Sequence, residues 1–392
     1  MSGTPLSAGF IPLVDAAPLV IAREIGFAEE EGIALSLVRA PSWSTLRDMV
    51  AFGQVDAAHM LSPVPVATAL GLGGLGVRLD AVAVMSVNGN VIGVSQALAG
   101  RLRAAGHDFG FRDAVAAGRA LVGAAGPGLR IGVPFPFSMH AELLYCWLGA
   151  LGLRVPEEID VRTVPPPLMA RALAADEIDA FCVGEPWGSI AVEEGIGELL
   201  LPGTAIWAFA PEKVLAVRHD WSRSEPELAA RLVRALWRAA RWLTAPGTLS
   251  TASEVLARPE YLDMSAEVVE RAMTGRLSIA PQGELRSVRR FLEFHDGAAG
   301  FPWRSYGDWI AARLAARTGL DRAAARAAGK RVFRTDLYRA ALVPVGADLP
   351  GASEKVLGAI RVPTAVASPK GSLILQPDAF FDRSIFDPDT VG

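Results

Sequence analysis

Along residues 6–210 short apolar runs alternate with amphipathic stretches, and this alternation limits the fold more than any other feature of the chain. Strands read over Leu6–Ile11, Ala34–Arg39, Ala57–Met60, Val82–Ser86, Val91–Ser95, Ile131–Val133, Asp160–Val164 and Ile178–Val183. Between them lie helical patterns: Ala17–Glu30, with Leu19, Ala22, Ile25 and Phe27 near helical spacing, Thr45–Phe52, Met139–Leu151 and Pro167–Ala175. Strands separated by helices of roughly 10–15 residues point to βαβ units and a mostly parallel α/β sheet. The best-capped helix reads as Glu225–Leu243, with Ser224 and Glu227 as a capping box and Leu228, Leu232, Leu236, Ala239 and Leu243 on one face.

The chain has 392 residues, enough for two or three domains at roughly 100–200 residues each. Its polar break Asn88-Gly-Asn90 separates two βα clusters, and a largely helical region follows the second. Two α/β lobes with a return of the chain to the first usually close on a ligand held between them. The expected lobes are residues 1–90 plus 214–392 for lobe I and 91–213 for lobe II. A net charge of -4 and a pI near 5.8 give no basic footprint for direct nucleic-acid binding. Charges and prolines break every apolar stretch before 18 residues, so no membrane span is expected. Met1–Pro5 carries no basic residue of the kind that opens a secretory leader, and a cytoplasmic location is the expectation.

Several familiar chemistries find no footing. Gly71-Leu-Gly-Gly-Leu-Gly76 spells G-x-G-x-x-G, but a helix (Val66–Leu70) precedes the glycines and a strand follows, the reverse of a dinucleotide site. No G-x-x-x-x-G-K-[ST], G-x-S-x-G or H-E-x-x-H occurs. The five histidines are widely spaced, and Cys146 and Cys182 form no C-x-x-C pair, so neither a metal nor a cofactor is expected.

The remaining polar residues in apolar settings are ligand candidates. Trp43 stands at a loop-to-helix junction with its indole N–H free to donate, although a packed core Trp reads as well. His59 ends a strand that would point at a crevice, or is a satisfied structural histidine. His140 lies in the first turn of a helix, where unpaired backbone N–H groups and the dipole favour an anion by about 0.3–1 kcal/mol. In Cys182-Val-Gly-Glu-Pro-Trp187 a buried strand ends at Gly184, Glu185 follows, and Pro186 reads as the first helical position. Gly184 admits a ligand to the backbone, or only permits a tight turn. Lys213 follows the second cluster and would by default be a surface lysine.

Taken together, Phe10-Ile-Pro-Leu-Val-Asp-Ala-Ala-Pro-Leu-Val-Ile-Ala22, Ser42-Trp-Ser-Thr-Leu-Arg-Asp48, Ala58-His-Met-Leu-Ser-Pro63, Asn88-Gly-Asn90, Val164-Pro-Pro-Pro-Leu-Met169 and Asp179-Ala-Phe-Cys-Val-Gly-Glu-Pro-Trp187 occur in one order and spacing. This set resembles the nitrate- and bicarbonate-binding solute receptors of bacterial ABC transporters, over about residues 6–345. The resemblance implies a two-lobed periplasmic-binding-protein fold of the type II clamshell kind. It implies a nitrate or nitrite pocket built from Trp43, His140, Gly184 and Lys213, with Asn90 where the receptors have a glutamine. His59 and Glu185 are further candidates.

The tail, Val362-Pro-Thr-Ala-Val-Ala-Ser-Pro-Lys-Gly-Ser372 onward to Phe386-Asp-Pro, resembles that of the cytoplasmic nitrate/nitrite sensors. The resemblance implies that such a sensor holds an ANTAR-type antiterminator response regulator inactive and releases it on binding the anion. The tail Arg361–Gly392 and the basic stretch Arg313–Arg339 are the candidate partner surfaces, the basic stretch reading equally as a solvated helix. A transporter receptor for nitrate is the alternative. Bicarbonate is the less favoured ligand, because its O–H needs an acceptor that Lys213 does not provide. The thiamine-pyrimidine synthases, which share the clamshell but depend on a cysteine-rich iron site, are a remote enzyme alternative; the expectation is a non-enzyme.

Overall fold

A computed structural model describes residues 3–126 and 128–390 of the chain. Two sheets form the cores of two lobes. The first has six strands in the order Leu292–Glu293, Leu79–Asn88, Pro211–Arg218, Ala57–Leu61, Thr4–Phe10, Ile33–Arg39. The second has five, in the order Asp160–Thr163, Arg130–Val133, Ala180–Gly184, Asn90–Ser95, Gly197–Pro202. Every residue of Leu79–Asn88 and of Ala180–Gly184 is buried, as expected of strands covered on both faces.

The sheets are mixed rather than mostly parallel. Parallel pairing is confined to the βαβ parts: Thr4–Phe10 with both its neighbours, and Arg130–Val133 with both of its own. The strands that carry the chain between lobes run the other way. Pro211–Arg218 is antiparallel to Ala57–Leu61 and Leu79–Asn88, and Asn90–Ser95 is antiparallel to Ala180–Gly184 and Gly197–Pro202. A strand that brings the chain back across a cleft must point opposite to the one that took it out. Periodicity within a segment carries no information about that direction.

The outward crossing is a single residue long. Asn88, at φ 62°, ends a strand of the first sheet, Gly89 turns at φ 94°, and Asn90 opens a strand of the second. Positive φ suits glycine without cost, and asparagine is among the side chains that tolerate it. The Asn88 side chain ties this crossing to the returning one: its Nδ2 donates to the Ala208 carbonyl at 3.0 Å, and its Oδ1 accepts from the Ala210 N–H at 2.9 Å. The chain rejoins the first sheet at Pro211.

Local signals placed most helices. Ser42 caps Trp43–Ala51 by accepting from the Thr45 N–H at 3.2 Å, and Ser138 caps Met139–Ala150 through the Ala141 N–H at the same distance. The capping box expected at Ser224 does not form. Ser224 closes the preceding helix, His219–Ser224, by donating to the Trp221 carbonyl, and Pro226 opens Pro226–Leu243 because its ring presets the first helical turn. Pro186 likewise precedes its helix, Trp187–Glu193, instead of opening it.

The C-terminal region leans on both lobes. Helices Arg304–Thr318 and Arg322–Val332 meet at Gly307 and Gly329, where a Cβ on either would lie 2.2 Å from the other's carbonyl oxygen. The tail returns to the second crossing: the Ala208 N–H donates to the Ala379 carbonyl at 3.0 Å, the Phe381 N–H to Ile206 at 2.9 Å, and Trp207 stacks on Phe380. The hairpin Arg276–Ser278/Leu285–Ser287 sits beside the second lobe, with the Leu199 N–H donating to the Ile279 carbonyl at 2.8 Å. Most of the basic stretch serves these internal contacts. Arg317 pairs with Glu142, Arg326 with Asp308, Lys330 with Asp308 and Glu354, and Arg334 with Asp80 and Asp336.

Candidate functional site

The cleft between the lobes is closed, and its lining is drawn from both. The Val14 N–H of the first lobe donates to the Glu185 carbonyl of the second at 3.1 Å, and Trp187 Nε1 donates to the Pro12 carbonyl at 2.8 Å. Lys213 lies beneath this seam and is fully buried. Its Nζ is 2.6 Å from Asp15 Oδ2, 3.0 Å from Glu212 Oε1 and 5.5 Å from the centre of the Trp43 ring. The other Asp15 oxygen faces His59 Nε2 at 2.9 Å. Trp43 and His59 are neighbours, with ring centres 5.7 Å apart.

The second lobe contributes His140 and Asn90. His140 Nδ1 is 3.3 Å from Glu212 Oε1, and Asn90 Nδ2 donates to Glu212 Oε2 at 2.6 Å. Gly184 lies opposite Asn90 in register, and a Cβ built on it would come within 2.9 Å of Leu13 Cδ2 across the cleft. The fold therefore brings together Trp43, Asn90, His140, Gly184 and Lys213, and His59 joins them through Asp15. Glu185 comes to the seam by its backbone alone. Its carboxylate accepts from the Ser189 N–H at 3.2 Å, inside the second lobe, where burial pushes it up to about 7.

Lys213 is not the isolated cation expected from the sequence. Asp15 and Glu212 flank it, and neither is obvious until the chain is folded. A signal did exist: Asp15 is the one charged residue between Met1 and Ala22, and Glu212-Lys213 the one charged pair between Leu199 and Val217. Charges embedded in apolar runs are buried only with partners. Burial opposes the ionised Asp15, but Lys213 and His59 outweigh it and hold the carboxyl well below the usual range. Burial also works against the ammonium, yet the two carboxylates raise the Lys213 pKa. Burial and Lys213 together hold His140 neutral. The argument against bicarbonate also weakens, because Glu212 is an acceptor beside Lys213.

Several polar atoms here have no close protein partner: Trp43 Nε1, His140 Nε2, His59 Nδ1 and Asn90 Oδ1. Unpaired buried polar atoms cost about 1–3 kcal/mol each, so their gathering in one place marks the cleft as the candidate site. The chemistry on offer is one ammonium, neutral N–H donors, an aromatic face and two carboxylates. No group of three or more His, Cys, Asp or Glu side chains among the described residues is arranged to hold a metal ion. Gly184→Val would push two further methyl groups toward Leu13, Asn90 and Asp15. It is expected to prop the lobes apart and raise the radius of gyration in small-angle scattering; scattering identical to that of the wild type would show that Leu13 simply yields.

Residues 2–257 match the model of the NMT1-like family. The chain belongs to that family. Among curated relatives, the nitrate import ATP-binding protein NrtC of Synechocystis sp. is 33% identical over 312 residues, 79% of this chain and 45% of that protein. The chain thus spans about half the length of that relative. The nitrate/nitrite binding protein NrtA of Synechococcus elongatus is 27% identical over 398 residues, covering 97% of this chain and 83% of the other. Among solved structures, the periplasmic nitrate-binding protein NrtA from Synechocystis superposes with a TM-score of 0.84 at 24% identity, over 99% of this chain and 96% of the other. The NMT1-like chain described here therefore has the two-lobed periplasmic-binding-protein fold expected from its sequence. In that fold the cluster around Lys213 occupies the cleft between the lobes.

Proposed function

We propose that this protein binds nitrate or nitrite between its lobes. The observation that carries the reading is the convergence of Trp43, Asn90, His140 and Lys213 on one buried spot where the indole N–H, His140 Nε2 and the Asn90 amide oxygen lack partners. A small planar monoanion suits such a slot, since it needs one ammonium and a few N–H donors and no metal. The similarity to proteins named as nitrate/nitrite binding proteins, over nearly the whole chain, supports the same ligand. The nucleotide in the name of the NrtC relative is not carried over, because this sequence contains no G-x-x-x-x-G-K-[ST]. Micromolar affinity, about -8 kcal/mol, is expected. Calorimetry of the protein with nitrate, nitrite, bicarbonate and sulfate tests it; heat from bicarbonate or sulfate alone would reassign the ligand.

The finer proposal is a cytoplasmic sensor whose anion-free form holds an ANTAR-type antiterminator and whose bound form releases it. The resemblance of the tail supports it, and so does the seating of that tail on the Ile206–Ala208 crossing, where lobe movement would reach it. A substrate-binding protein of a nitrate ABC transporter is an equally supported reading, favoured by the similarity to NrtA along the whole chain. The two differ in what reads the closed state. If nitrate weakens partner binding tenfold, the partner must weaken nitrate binding tenfold, about 1.4 kcal/mol of coupling. Recovery of the co-encoded antiterminator with this protein, with and without nitrate, separates them: equal recovery in both conditions would sink the sensor.

A further inference from the structure

The charges at the centre of the cleft do not add up to an anion site as they stand. Two buried carboxylates, Asp15 and Glu212, share the single ammonium of Lys213. With both ionised and the histidines neutral, the cluster already carries one net negative charge. An anion placed beside it would bury a second without a counter-charge, which a water-excluded site does not tolerate.

Glu212 is the group placed to relieve this. Its Oε2 is held by Asn90 of the strand Asn90–Ser95, while its Oε1 lies between Lys213 Nζ at 3.0 Å and His140 Nδ1 at 3.3 Å. We propose that the Glu212–His140 pair takes up one proton from solvent as the anion enters and returns it on release, so that anion capture is proton-coupled. The inference rests on the nitrate/nitrite reading of the cleft. A proton on the pair leaves the net charge of the cluster unchanged on binding and turns an acceptor that would repel the anion into a donor that can face it.

The surroundings leave few competitors for the proton. Asp15, in the short 3-10 helix Val14–Ala16, is held ionised by Lys213 and His59 and is a poor proton acceptor. The Cys182 thiol, on the strand Ala180–Gly184, is raised well above its ordinary range by burial and stays protonated in both states. His59 sits across Asp15 from Lys213 and is lowered by its own burial. Burial raises Glu212 against the pull of Lys213, and Asp15 adds to the rise. Because the two partners interact, the proton belongs to the pair rather than to one residue.

Calorimetry of the full chain with nitrate, run at one pH in two buffers of different ionisation enthalpy, reads the proton directly. The expected result, above the pH at which the anion-free pair titrates, is uptake approaching one proton per nitrate. The dissociation constant should weaken by up to about tenfold per pH unit there. Glu212→Gln, neutral at every pH, should lose the uptake and flatten the profile. Nitrate binding with no proton exchange between about pH 6 and pH 9 would overturn the proposal, as would full uptake retained in the Gln variant. Absence of nitrate binding at every pH would instead refute the nitrate reading itself. The wild-type buffer comparison stands even where the variant fails to fold.

Discussion

Lys213→Met is expected to remove measurable nitrate binding and to lower the melting temperature together. The ammonium is the one buried cation of the cleft, and it is shared by Asp15 and Glu212 at 2.6 and 3.0 Å. Taking it away leaves two buried carboxylates with no counter-charge as well as a bound anion with none. Breaking a buried ion pair by deleting one partner costs about 3–5 kcal/mol of stability. The same loss at a binding site typically costs about 2–5 kcal/mol of affinity, a factor of thirty or more. Thermal unfolding and nitrate calorimetry on the same preparation check both halves. A variant that melts lower but binds normally would assign Lys213 to structure alone, and wild-type behaviour in both would remove it from the cleft altogether.

Arg317→Met should have the next largest effect, and it acts from outside the pocket. Glu142 is completely buried on the helix Met139–Ala150, and Arg317, on Arg304–Thr318, grips both its oxygens, with Nη1 at 2.7 Å from Oε2. Bidentate arginine–carboxylate pairs are the strong kind, and here the carboxylate has no water to fall back on. The expected loss is about 3–5 kcal/mol in denaturant unfolding. Because His140 lies on the same helix two residues before Glu142, nitrate affinity should fall too, though by less than in the Lys213 variant. The double variant Glu142→Gln/Arg317→Met should recover much of the stability, since no buried charge is then left alone. A single variant as stable as wild type would show that Glu142 finds another partner.

These two residues mark where sequence reasoning succeeded and where it stopped. Lys213 was recognisable as a candidate site residue, but only through its place in a family pattern; by itself it read as a surface lysine. Arg317 read as one charge in a basic stretch open to a partner, and the fold spends it on Glu142, 175 positions away. Nothing in the spacing of either residue announces that pair. Where the deciding forces are local, the reading held: His140 lies in the first turn of its helix, and the strand ending at Gly184 ends there. Where a local rule met a stronger one it failed, as at Ser224, overruled by Pro226 two positions on.

The sequence by itself determined the βα alternation and the break at Asn88–Asn90, where the chain passes from one sheet to the other. Hydrophobic period, capping and turn chemistry act over a few residues and are written in the order of the chain. Tertiary structure alone decided that the crossing strands run antiparallel, that the tail seats on Trp207, and that Asp15 and Glu212 share Lys213. Those outcomes depend on which distant groups share a low-dielectric interior, where an ion is tolerated only beside its partner. The charge state of the cleft, and with it the proton proposed to accompany the anion, belongs to that second set.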